Sequence, residues 1–295
     1  MSLDTTAMVV KLHISAWKGR MTDKTVTEST NAAHGAADGA GHYNKNLISK
    51  TKMREMVSAE SAARAFHMTQ TLPWKDGGER LLPAKNFQRY SKGMRDKKQE
   101  FAVAVQKFIN QYPILMQDAR HELGQMYNPN EYPAAADIDA LFNFYTDIQP
   151  VPTAGDFRVE LNQHEVTKIK KDIEKSNEEQ QAKAMESIWH RLHTRVKEMA
   201  EGMKDIVDEK GVVTKRGRVY DTYVKNLAEL TEILPDLNIT EDENLNNMAQ
   251  EIKDALTAHT PGQLRKDAQL KNDVAATAED IMDKMNGYMG AGNVK

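Results

Sequence analysis

The 295-residue chain contains no cysteine. This excludes disulfide scaffolds, thiolate zinc sites, iron–sulfur clusters and cysteine nucleophiles together, and it fits a reducing, cytoplasmic setting. No apolar run approaches the ~20 residues needed to span a bilayer, and the N-terminus lacks the basic, apolar, small-residue succession of a signal peptide, so no membrane partner is expected. Leu, Ile, Val and Phe together number 57, a share that borders on that of disordered chains. A formal net charge of only −3 and the presence of 16 Met argue instead for an ordered, helix-rich protein packed with adaptable side chains.

The near-neutral total hides a division. Residues 1–130 carry 19 Lys+Arg against 12 Asp+Glu, a surplus of +7, whereas residues 131–295 carry 21 against 31, a deficit of −10. Such asymmetry points to a polyanion-facing portion joined to an acidic one, or to two faces of one oligomer that attract each other.

Periodicity supplies the expected elements. Val10, Leu12, Ile14 and Ala16 alternate with polar residues as in a half-buried strand. Helices are expected over 25–36 and 49–70. Two short apolar pieces, 71–74 and 80–83, flank Lys75-Asp76-Gly77-Gly78-Glu79, which is a hairpin signal because glycine supplies the positive φ of tight turns. A helix follows from Asn86 to about Tyr112, Pro113 restarts another, 134–141 reads as a short helix and 142–148 as a strand. Prolines 150 and 152 with Gly155 mark a boundary near 149–162.

Beyond that boundary, apolar residues at Met185, Ile188, Leu192, Val196, Met199, Met203 and Ile206 advance by threes and fours. This is a coiled-coil-like seam on a long helix, with Trp189 as an anchor beside it. Further helices are expected at 219–234, 243–258 and 262–285. The fold class is therefore α+β and predominantly helical. A basic α+β domain with a hairpin is expected over residues 1–155, an elongated acidic helical domain over 156–286, and a frayed tail over 287–295.

Chemistry-bearing clusters are sparse. His190 and His193 with Glu186 share a helical side but lack a further ligand, so no metal is expected. His121, Glu122 and Asp118 lack a placed nucleophile, and no Gly-rich phosphate loop precedes a Lys, so neither an enzyme nor a cofactor is expected. The suggestive constellation is basic and aromatic: Lys45, Lys52, Arg54, Trp74, Lys75, Arg80, Arg89, Tyr90, Lys92 and Arg95. Single-stranded nucleic acid needs cations along phosphates and flat rings under bases. The competing reading makes Tyr90 core and the charges ordinary solvated faces. The seam Met185, Ile188, Trp189, Leu192, Val196, Met199 and Met203 is the candidate surface for a homo-oligomer or another partner.

Several short blocks occur in a fixed order: Arg64-Ala65-Phe66-His67, Thr71-Leu72-Pro73-Trp74, Gly78-Glu79-Arg80-Leu81-Leu82-Pro83, Asn128-Pro129-Asn130-Glu131-Tyr132-Pro133, Pro150-Val151-Pro152-Thr153-Ala154-Gly155-Asp156-Phe157-Arg158 and Leu234-Pro235-Asp236-Leu237-Asn238-Ile239. In these the chain resembles, over residues 8–257, a protein family encoded by tailed phages, integrative elements and some proteobacteria, often near MoxR-type AAA+ ATPases or phage DNA-metabolism genes. The resemblance implies a setting in a host cell's cytoplasm and brings no catalytic residues with it. The plan of a basic α+β part followed by an acidic helical part is similar to that of phage single-strand annealing proteins. The expected function is a non-enzymatic phage or mobile-element protein that self-assembles and contacts single-stranded nucleic acid. The alternatives are an AAA+ ATPase partner or a virion component.

Overall fold

The computed structural model describes residues 2–75, 77–156, 162–209 and 212–291. In chain order the elements are α1 (Leu3–Thr6), β1 (Ala7–Ser15), β2 (Arg20–Thr22), α2 (Lys24–Ala33), β3 (Asn44–Asn46), α3 (Lys50–Gln70), β4 (Leu72–Pro73), β5 (Glu79–Pro83), α4 (Phe87–Leu123), β6 (Asn143–Pro150), α5 (Gln163–Met203), β7 (Ile206–Val207), β8 (Val213–Lys215), α6 (Asp221–Leu237), α7 (Glu243–Leu256), α8 (Pro261–Lys266) and α9 (Ala268–Ala291). The protein is α+β and predominantly helical, with one small antiparallel sheet in the order β4-β5-β1-β6 and two further two-stranded ladders, β2-β3 and β7-β8.

The chain forms two compact units, and neither is contiguous. Unit one comprises Met1–Lys11, Thr69–Gln88 and Ile148–Lys295; unit two comprises Leu12–Met68 and Arg89–Asp147. The linear division at residue 155 therefore does not describe the packing. The reason is hydrophobic: Val9, Leu72, Trp74 and Leu81 from the N-terminal half share one buried cluster with the helices from Ala184 onward. Regrouped by unit, the charge asymmetry shrinks. Unit two carries 15 Lys+Arg against 13 Asp+Glu, a net of +2, and unit one 25 against 30, a net of −5.

In unit one, α5 is capped by Asn162, whose side-chain oxygen accepts from the Glu165 amide at 3.0 Å, satisfying one of the donors a helix start leaves free. Its second half presents Ala184, Ile188, Leu192, Val196, Met199, Ala200 and Met203, all at most 1% exposed, and packs chiefly on α9 and α6. Each such large side chain contributes on the order of 1.5–3 kcal/mol relative to exposure. Trp189 stacks on Tyr288 of α9 with ring centroids 5.6 Å apart. Strands β1 and β5 pair antiparallel from Ala7 opposite Pro83 to Lys11 opposite Glu79. Val9 and Val10 are both buried, so this stretch of β1 is covered on both faces and the expected alternation is lost there.

In unit two, α3 and α4 enclose Met53, Met56, Ala63, Tyr90, Met94, Phe101, Val105 and Phe108. Trp17 meets Tyr112 edge-on at 5.7 Å. The helices approach closely where Gly93 faces Phe66, since a Cβ on Gly93 would lie 2.1 Å from the ring.

Several expectations change. Pro113 lies inside the single helix α4 rather than restarting one; it is exposed, so water can satisfy the carbonyl that its missing N–H leaves free. The short helix expected at 134–141 is reduced to a 3₁₀ turn at Asp139–Leu141. The final helix divides into α8 and α9, and α9 reaches Ala291 instead of fraying at 287. Asp76 of the expected hairpin turn, residues 157–161 of the expected boundary and the tail beyond 291 lie outside the described residues.

Candidate nucleic-acid interface

Of the ten basic and aromatic residues singled out by sequence, Trp74, Lys75 and Arg80 belong to unit one and the remainder to unit two. Four are buried. Lys45, 3% exposed, places its ammonium 2.7 Å from Glu131, 2.9 Å from Asp23 and 2.9 Å from the Met126 carbonyl. Burial pulls the Lys45 pKa down, but the hydrogen bonds to Glu131 and Asp23 outweigh it and hold the ammonium above its ordinary value. Tyr90, 1% exposed, gives its hydroxyl to the contact with His67 Nδ1 at 2.8 Å, and burial raises its pKa. Trp74 is a core residue with the Lys75 ammonium 5.3 Å above its ring. Arg80 is buried and donates to Thr71. None of these four can serve a phosphate or a base from the surface.

Among the others, Lys52 pairs with Asp118 at 3.5 Å. Arg54 edges an open groove of about 520 Å³ between α3 and α4 together with Glu55 and Glu100, where the carboxylates disfavour a polyanion. Arg89 is exposed. Lys92 and Arg95 are exposed, three residues apart on α4, and no aromatic ring from the expected set accompanies them at the surface.

The seam is equally internal. Ile188, Leu192, Val196, Met199 and Met203 are 0% exposed, and Met185 and Trp189 pack against the same cluster. These residues are core of unit one, not a surface for a second copy or another protein. Ile206, placed at the end of the seam by sequence, is instead in β7. His190 and Glu186 are exposed and His193 is half-buried. Among the described residues no group of three or more His, Asp or Glu converges as a metal site would require.

A different basic and aromatic cluster forms where the sequence is acidic overall. Helix α5 ends at Met203, and its chain returns through β7 and β8, with Ile206 opposite Lys215. The return is locked by Asp205, whose carboxylate accepts the Gly217 amide at 2.7 Å and the Lys271 ammonium. Those two bonds, Lys271 first, hold Asp205 below the usual carboxylate range, and the charge of Arg216 adds to this. The Arg218 amide donates to the Gly202 carbonyl at 2.8 Å. Gly217 permits the approach: a Cβ there would sit 2.0 Å from the Met203 carbonyl oxygen.

The result lays Lys215-Arg216-Gly217-Arg218 over the C-terminal end of α5, whose free carbonyls attract cations. Tyr220 and Tyr223 close the site edge-to-face, with centroids 5.4 Å apart and planes at 88°. Together they border a pocket of about 200 Å³, whose lining also holds one carboxylate, Glu201, against the cations Lys204, Lys215, Arg216 and Arg218. Tyr220 is 49% exposed, and burial raises the Tyr223 pKa. Lys204 at the rim pairs with Glu279 at 2.6 Å, but Lys215, Arg216 and Arg218 form no ion pair among the described residues. The short run Lys-Arg-Gly-Arg followed by two tyrosines was a legible signal that the negative total of this half obscured.

No protein-family model matches the chain, and no curated protein and no solved structure matches it either.

Proposed function

We propose that this protein is a non-enzymatic binding protein that contacts single-stranded nucleic acid through Lys215, Arg216, Arg218 and Tyr220 of unit one. The observation that carries the reading is the placement of three cations, none of them in an ion pair among the described residues, beside a half-exposed tyrosine ring. Cations of this kind follow a phosphate backbone, and a tyrosine face accepts a base of any sequence. The setting is the DNA metabolism of a phage or mobile element, as the sequence resemblance implies. Self-assembly through the α5 seam is dropped from the reading, because those side chains are already consumed by the core.

Fluorescence anisotropy of a labelled oligodeoxynucleotide, titrated with the full chain at several salt concentrations, tests the proposal. Three phosphate contacts to a single strand give a slope of log K against log salt of about −2. Replacing Lys215, Arg216 and Arg218 by Ala removes most of that slope. Tyr220→Ala costs roughly 1–3 kcal/mol if one base stacks there. Absence of binding at low salt, or binding unchanged in the triple variant, overturns the reading.

A further inference from the structure

The pocket beside Tyr220 holds one carboxylate among its cations. Glu201 lies in the last turn of α5, where the free carbonyls of a helix end favour a cation and disfavour an acid. It shares the pocket lining with Lys204, Lys215, Arg216 and Arg218. At a surface that only follows phosphates, this carboxylate works against binding. Glu201 approaches Lys197 one turn earlier at 3.7 Å, with both side chains at least half exposed. A pair of this kind is screened by water and holds neither partner in place, so the carboxylate is available to a ligand in the pocket.

Gly202, next in the chain, forms the floor. A Cβ there would lie 2.2 Å from the Tyr223 hydroxyl, so the Tyr223 side chain rests on the α5 backbone beside Glu201. Tyr220 stands edge-on to that ring, and the exposed Ile206 of β7 adds an apolar wall. A volume of about 200 Å³ has room for one base and not for a stack of them. The pocket thus combines a ring face, an apolar wall, cations for flanking phosphates and a single group that only accepts hydrogen bonds.

An ionised carboxylate offers two coplanar acceptors and no donor. Unpaired bases are read on their Watson–Crick edges, and there guanine alone presents two adjacent donors, N1–H and the N2 amino group. Adenine and cytosine set their amino group beside a ring acceptor, and the single N–H of thymine stands between two carbonyls. In a duplex the two guanine donors are spent on cytosine. We infer, resting on the single-strand reading above, that Glu201 makes this pocket selective for an unpaired guanine. Guanine N1–H and N2–H donate to the two carboxylate oxygens, the base lies on Tyr220, and Lys215, Arg216 and Arg218 hold the adjoining phosphates.

Anisotropy titrations of the full chain test this with short labelled strands: one all thymine, one with a single central guanine, and the latter annealed to its complement. The single guanine raises affinity about tenfold over the all-thymine strand, and annealing removes that gain. Hypoxanthine in place of guanine lacks the N2 amino group and keeps only part of it. Glu201→Gln sets an amide donor against the guanine donors and brings the two strands to within about twofold of each other. The all-thymine strand binds this variant more tightly than the parent, because a charge that repelled phosphate is gone. A variant merely damaged at the pocket loses affinity for both strands alike, so the opposite signs separate base reading from a structural role. Guanosine monophosphate, which lacks the flanking phosphates, competes about tenfold less well than the guanine strand; equal competition would assign the pocket to a free nucleotide and overturn recognition within a strand. Equal affinity for the guanine and thymine strands, or a guanine gain that survives Glu201→Gln, overturns the inference and leaves the single-strand reading standing. Absence of binding to every strand overturns that reading and the guanine preference with it.

Discussion

The Lys45 ammonium of β3 stands 2.7 Å from the Glu131 carboxylate and is almost wholly enclosed, with 2% of its side chain exposed. Asp23 completes the cluster at 2.9 Å. One buried cation thus ties the β2-β3 ladder and the start of α2 to the turn after α4. A charge in this position is destabilising when its partner is removed, because the survivor stays buried without compensation. Lys45→Met is expected to lower the stability of unit two by about 3 kcal/mol or more, measured as a shifted urea midpoint with an unchanged slope. A midpoint within experimental error of the parent would show the cluster to be solvated.

The same cluster sets a pH window. The hydrogen bond from Lys45, and after it the Val26 amide, holds the Asp23 carboxyl below its ordinary value. A depressed carboxyl stabilises the fold above the unfolded pKa, near 3.9, and loses that contribution as pH falls through the lower folded value. Lys45, raised, contributes below about 10.5 and loses its contribution as pH rises through its folded value. Urea midpoints should therefore be flat around neutrality and fall below about pH 4, and Asp23→Asn should make the acid limb shallower. An acid limb as steep in Asp23→Asn as in the parent would assign the loss to other carboxyls.

Gly217→Ala is expected to be more harmful than a surface Gly→Ala. The added methyl would meet the Met203 carbonyl, which is backbone and cannot rotate away. Overpacking of this kind costs about 1–3 kcal/mol and displaces Arg216 and Arg218 together. Oligonucleotide affinity and melting temperature should fall in parallel. A variant with full stability and full affinity would show that the Lys215–Arg218 return does not need the close approach.

Leu192→Ala separates core from interface. The side chain is fully buried within unit one, so truncation should cost about 2–5 kcal/mol by transfer and cavity effects. Sedimentation velocity should give the same oligomeric state before and after the change. A change in oligomeric state without loss of stability would return the seam to the surface.

Legibility followed the range of the interaction. The three-and-four spacing from Met185 to Met203 identifies a long helix and its apolar stripe, because that pattern is local. It does not say whether α6 and α9 of the same chain or a second molecule covers the stripe. The Asp-Gly-Gly hairpin was readable for the same local reason. Lys45 and Arg80 were read as surface cations, since nothing near them in sequence shows that Glu131 and Asp23, or Thr71 and Arg191, wait across the fold. The ladders β2-β3 and β7-β8 have two or three residues per strand, too few for any period to register. The Lys215–Tyr223 cluster depended on recognising that a half with a net deficit can hold a local surplus.

Unit one draws α1, its first strand residues and its hairpin from the early chain, yet α5 to α9 begin only after Ile148. During synthesis, Leu72, Trp74 and Leu81 therefore emerge long before Leu192, Leu227 and Ile252, the residues that will cover them. The boundaries between units fall inside β1, α3, α4 and β6, so no single cut releases an intact half. A fragment ending at residue 155 should be an aggregation-prone piece with its hairpin uncovered, and the nascent chain has reason to engage a chaperone until α5 leaves the ribosome.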